Sequence, residues 1–132
     1  MEENKCRVLL VDDEEEFLRT LIKRLRKRNF IVDAVPSGED ALAYIKDHPV
    51  DVVVLDVRMP GMDGIQTLNA IKSNHPLIEV IMLTGHANVE VAVRGMDIGA
   101  FDYLMKPMDI DDLVYKIEDA YKRKKLKEKL EN

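Results

Sequence analysis

The chain has 132 residues, 46% of them hydrophobic and 34% charged, with a formal net charge of −5. That is one domain's worth of chain with enough apolar residues for a core, which excludes a disordered segment. The single cysteine, Cys6, excludes an internal disulfide framework and fits reducing cytoplasm; no run nears the ~18 apolar residues of a membrane span, and the charged opening Met1-Glu2-Glu3 does not read as a secretory signal.

Short apolar runs alternate with amphipathic stretches. Arg7–Val11 predicts a buried strand, and Glu14–Arg28 a helix with Phe17, Leu18, Leu21, Ile22 and Leu25 at helical spacing. Phe30–Val35 is the second strand. Ser37 N-caps a second helix that carries Ala41, Leu42 and Ile45 on one face. Asp51–Asp56 is the third strand, and Val57–Gly64 a loop marked by Pro60, Gly61 and Gly64. Ile65–Ser73 is the third helix and Val80–Thr84 the fourth strand. Asn88–Ile98 is the fourth helix, with Val89, Val93 and Met96 in line. Phe101–Met105 is the fifth strand. The last helix runs from Asp109 to Leu126 or beyond, with Leu113, Ile117, Ala120 and Tyr121 inward.

Continuously apolar strands imply burial on both faces, and helices between strands imply parallel crossovers. The expected fold is α/β: a three-layer, doubly wound, five-stranded parallel sheet. Seven methionines read as gap-filling core. Gly95 and three valines make the fourth helix a weak one. Residues 121–132 hold six Lys and Arg against two Glu, which leaves −9 on the remainder. An acidic body argues against direct nucleic-acid binding. The basic tail reads as a solvated helix end favoured by the helix dipole, or as a linker.

In an open parallel sheet, chemistry sits past the carboxyl ends of the strands. Asp12 and Asp13 follow the first strand, Asp56 ends the third, Thr84 and Gly85 close the fourth, and Lys106-Pro107 follow the fifth. Three carboxylates therefore converge at one edge with a hydroxyl and an ammonium. Such a cluster raises the pKa of one carboxyl or recruits a cation, and oxygen-only ligands favour a hard ion such as Mg²⁺. Neither a Gly-rich dinucleotide turn nor a P-loop is present. An acidic edge suits receipt of a phosphoryl group through a metal better than the holding of a nucleotide.

Four stretches, taken in order, carry a resemblance. They are Val8-Leu9-Leu10-Val11-Asp12-Asp13-Glu14, Val54-Leu55-Asp56-Val57-Arg58-Met59-Pro60-Gly61-Met62-Asp63-Gly64, Ile81-Met82-Leu83-Thr84-Gly85, and Gly99-Ala100-Phe101-Asp102-Tyr103-Leu104-Met105-Lys106-Pro107. The chain resembles the receiver domain of bacterial two-component response regulators, which have the flavodoxin-like (βα)5 fold of the chemotaxis regulators. The resemblance makes residues 1–125 the receiver and 126–132 a charged helix end or the start of a linker.

The resemblance implies roles. Asp56 is the phosphoacceptor for a sensor histidine kinase or phosphotransfer protein. Asp13 and Asp56 ligate Mg²⁺ or Mn²⁺, Asp12 does so mainly through water, and the Arg58 backbone carbonyl is a further ligand. Lys106 pairs with the phosphoryl oxygens and Thr84 hydrogen-bonds the group. Tyr103 is the switch aromatic that turns inward as Thr84 moves. The Lys106–Pro107 bond is cis, and His86 and Arg58 tune phosphoryl lifetime. The protein is then a cytoplasmic phosphoacceptor that assists its own phosphorylation and dephosphorylation, not an enzyme with a substrate of its own. Its output surface is the fourth helix, fifth strand and last helix, where partners or a second copy bind. The wording around Met59 and Phe101 resembles receivers of enhancer-binding transcription activators, so the chain is a stand-alone receiver or a piece of a longer regulator. Two alternatives stand beside this: a receiver-like interaction module that needs no phosphorylation, and a Mg²⁺-dependent phosphatase. The second would want an acid two residues after its nucleophile, where Arg58 stands.

Overall fold

The structure is a computed structural model that describes residues 5–58, 63–85 and 89–131. Strands and helices alternate in it: β1 (Arg7–Val11), α1 (Glu15–Lys27), β2 (Ile31–Val35), α2 (Gly38–Asp47), β3 (Val52–Asp56), α3 (Gly64–Asn74), β4 (Glu79–Thr84), α4 (Val89–Ile98), β5 (Asp102–Met105) and α5 (Ile110–Glu131). These match the expected elements to within a residue at their starts, although the expected first residue of the fourth helix, Asn88, lies outside the described residues. Local chemistry explains the well-set starts. Ser37 Oγ accepts the Asp40 N–H at 3.1 Å. Asp63 and Gln66 form a reciprocal capping box that opens α3.

The five strands pair in parallel in the order β2-β1-β3-β4-β5. Alternate side chains of each inner strand point to opposite layers. Val8, Leu10, Val52, Val54, Ile81 and Leu83 pack with Leu21 and Leu25 of α1 and with Leu113 and Ile117 of α5. Leu9, Val53, Leu55, Val80 and Met82 pack with Ala41 and Ile45 of α2 and with Leu68 and Ile71 of α3. This is the doubly wound three-layer arrangement that the apolar runs imply.

Three local expectations are corrected. The stripe Val89, Val93 and Met96 on α4 is exposed, and Ala92 and Gly95 face inward instead. A Cβ on Gly95 would stand 2.1 Å from Met82 Sδ. A side chain at this position would therefore need the buried Met82 side chain to shift. Methionine is also not simply core filler: Met82 is fully buried, but Met96 and Met105 are exposed. The cause for Met105 is its place on β5, an edge strand with one neighbour.

The basic tail is the third correction. It continues α5, but it is not merely solvated. The Glu79 carboxylate, 1% exposed at the start of β4, lies 3.1 Å from Lys127 Nζ, 3.7 Å from Lys72 Nζ and 3.8 Å from Arg123 Nε. Lys124 Nζ lies 3.0 Å from Asp51. One face of the tail is therefore fastened to the amino ends of β3 and β4. Leu126, Leu130 and the lysines at 122, 125 and 129 face outward.

Candidate functional site

The chain leaves β1 toward β2 and returns past β1 to β3. The carboxyl ends of β1 and β3 consequently flank the point where the winding reverses, and no crossover covers them. Parallel register sets Val11 beside Leu55, so Asp12 and Asp56 emerge as neighbours. β4 and β5 deliver Thr84 and Lys106 to the same edge, where the Lys106 N–H donates to the Thr84 carbonyl at 2.8 Å. The peptide bond between Lys106 and Pro107 is cis.

Asp12, Asp13 and Asp56 each place a carboxylate oxygen within 4.8 Å of the others. Asp12 and Asp56 are buried and Asp13 is exposed. Such an all-oxygen set fits a small hard cation better than zinc or copper. Lys106 Nζ donates to Asp12 Oδ2 at 2.7 Å and to Glu14 Oε1 at 3.0 Å. It lies 3.7 Å from Asp56 Oδ2 and 4.4 Å from the centre of the Phe17 ring. The Glu14 N–H donates to Asp12 Oδ1 at 2.9 Å, and the Arg58 N–H to Asp56 Oδ1 at 3.0 Å.

The environment disfavours the charged form of Asp56 and favours that of Lys106. Burial raises the Asp56 carboxyl above the usual range. The Arg58 N–H opposes this, the negative charge of Asp12 adds to it, and Lys106 offsets part of it. Burial alone would lower the Lys106 ammonium, but its hydrogen bonds to Asp12 and Glu14 outweigh burial and raise it. Among the described residues, Lys106 is the ammonium that faces these carboxylates.

Every site residue expected from sequence among the described residues reaches this edge except Tyr103. Arg58 touches Asp56 through its N–H. Thr84 is buried. Tyr103 is 42% exposed on β5. Together with Thr84, Ala92, Met96 and Met105 it lines an apolar cavity of about 210 Å³ between α4 and β5. His86, Pro60 and Gly61 lie outside the described residues. Two further residues, Glu14 and Phe17, take part at this edge. Glu14 reads as first-turn helix charge, and Phe17 as one more residue of the core stripe. Their spacing is the available signal, because both sit within about one turn of Asp13.

The family model for the response regulator receiver domain matches residues 8–118. The chain is 37% identical over 124 residues to the regulatory protein AtoC of Escherichia coli, a match covering 94% of this chain and 27% of that protein. It is 41% identical over 116 residues to the transcriptional regulatory protein ZraR of Salmonella typhimurium, covering 88% and 26% respectively. Among solved structures, that of NtrX from Brucella abortus in complex with ADP superposes with a TM-score of 0.91 at 32% identity, over 97% of this chain and 30% of that one. The chain belongs to the response regulator receiver domain family. It is a receiver of two-component signalling, homologous to part of transcriptional regulators, and spans about a quarter of the length of the curated relatives it matches.

Proposed function

We propose that the protein is a phosphorylation-dependent switch in which Asp56 accepts a phosphoryl group from a sensor histidine kinase or phosphotransfer protein. The observation that carries the reading is the convergence of Asp12, Asp13 and Asp56 within 4.8 Å of one another beside Lys106. An Asp56 oxygen attacks the phosphorus of a phosphohistidine. A P–O bond forms, the P–N bond breaks, and its electron pair leaves on the imidazole nitrogen. Lys106 follows the charge onto the phosphoryl oxygens, and Thr84 donates its hydroxyl to one of them. Water later cleaves the acyl phosphate to carboxylate and inorganic phosphate.

Asp13 and Asp56 would hold Mg²⁺ or Mn²⁺ directly, Asp12 mainly through water, with the Arg58 carbonyl as a further ligand. The bound ion supplies charge neutralisation during transfer.

The readout is a shift between two conformers. Thr84 moves toward the phosphoryl group and Tyr103 turns into the space that Thr84 vacates. The cavity between α4 and β5 supports this, since it gives an exposed ring somewhere to go. The output surface is α4, β5 and α5, open to partners or to a second copy of the chain. The switch is cytoplasmic, and by the likeness to AtoC and ZraR it is the regulatory part of a transcription regulator. Intact-mass measurement after incubation with acetyl phosphate and Mg²⁺ tests the reading. One phosphoryl group is expected on wild type, and none on Asp56→Asn or in metal-free buffer. No gain in any sample would point instead to a phosphorylation-independent interaction module.

A further inference from the structure

We infer that Glu14 is a positioning residue for Lys106: a counterion that holds the lysine off the acceptor and must release it to the phosphoryl group. The inference rests on the phosphoacceptor reading of Asp56. An ammonium has three N–H donors. In Lys106 two of them go to Asp12 at 2.7 Å and Glu14 at 3.0 Å, while Asp56 at 3.7 Å lies outside hydrogen-bonding range. The Phe17 ring closes a further side of the nitrogen. The lysine is thus parked on β1 and the start of α1, short of the strand that bears the acceptor.

The two holding carboxylates differ in freedom. The Asp12 side chain is 2% exposed and the Glu14 side chain 65%. Asp12 is fixed by burial and by the Glu14 N–H on its other oxygen. Glu14 stands at the entrance of α1 with its carboxylate in solvent, so it is the partner that swings away. A phosphoryl group on Asp56 competes with Glu14 for the same ammonium, and as a like charge Glu14 opposes the incoming anion. An exposed pair of this kind is worth up to about fivefold in an equilibrium.

Two variants separate the contact from the charge. Glu14→Gln removes the charge and keeps the length. Glu14→Asp keeps the charge but is one methylene short of Lys106. With the full chain and Mg²⁺, beryllofluoride, a stable phosphoryl mimic, is titrated by ¹⁹F NMR. Acetyl phosphate gives the phosphorylation rate, and a separate titration gives Mg²⁺ affinity. Both variants are expected to bind beryllofluoride about two- to fivefold tighter and to phosphorylate faster by a similar factor. Mg²⁺ affinity, set by the three aspartates, stays within about twofold, whereas general loosening of the site would weaken both ligands together. Unchanged or weaker beryllofluoride binding in either variant overturns the proposal. So does a Glu14→Asp protein that behaves as wild type, since it would assign the effect to charge alone. If wild type takes up neither phosphoryl nor beryllofluoride, the phosphoacceptor reading fails and the proposal fails with it.

Discussion

Lys106 and Asp12 stand 94 positions apart in the chain, and their side chains meet at 2.7 Å across the carboxyl edge of the sheet. The contact places an ammonium beside a carboxylate that is only 1% exposed. Lys106→Met keeps the apolar stem and removes the charge. It leaves Asp12 and Asp56 buried together, so urea denaturation of the metal-free protein is expected to show a loss of about 1–3 kcal/mol. Added Mg²⁺ restores part of that loss by replacing the missing positive charge. An unchanged midpoint in metal-free buffer would mean that the lysine does not compensate these carboxylates.

Asp56 gives a pH dependence of definite sign. Burial raises its carboxyl in the folded protein, with Asp12 adding to the effect. The folded state then holds that proton more firmly than the unfolded chain does. The resulting stability is full below the unfolded value and is lost as pH rises through the folded one. Asp56→Asn should therefore be more stable than wild type at neutral pH without metal, by a few degrees in Tm, with the difference closing in mild acid. A Tm series from pH 4 to 7 checks this, and a variant less stable than wild type at pH 7 would contradict it.

Glu79 anchors the far end of the molecule. Its carboxylate is buried among Lys72, Arg123 and Lys127. Glu79→Gln leaves three cations facing a neutral group, and a loss of about 1–3 kcal/mol is expected. Amide exchange should quicken over residues 123–131 while phosphorylation at the opposite edge of the sheet keeps its rate. Exchange equal to wild type in that stretch would show that the apolar face alone holds the helix.

Gly95→Ala tests the packing of α4. On an exposed helix this change gains about 1 kcal/mol. Here the new methyl group would lie 2.1 Å from Met82 Sδ, inside the core. The clash outweighs the propensity, and a net loss of about 1–3 kcal/mol is expected by urea denaturation. A stabilised variant would show that α4 lifts from β4 at little cost.

The fold was readable because each signal is local. Val52–Leu55 is apolar on both faces and so reads as an inner strand, and Asp12 and Asp56 end their strands at the one edge where a parallel sheet leaves room. The remainder depends on contacts between distant segments. Spacing alone sets Val89, Val93 and Met96 on one face of α4, but the close approach of β4 decides that Gly95 and Ala92 face inward. The basic run looks solvated until Glu79, more than forty residues earlier, is found beneath it. Glu14 likewise reads as helix-start charge, and only the return of β5 brings Lys106 to it.

The most direct measurement is chemical trapping of the phosphorylated residue. After incubation with acetyl phosphate and Mg²⁺, borohydride reduces an aspartyl phosphate to homoserine, and a peptide map locates it. Homoserine is expected at position 56 alone, and only when the metal is present. Homoserine at position 12 or 13, or at no position in a sample that has gained phosphate, would contradict that expectation.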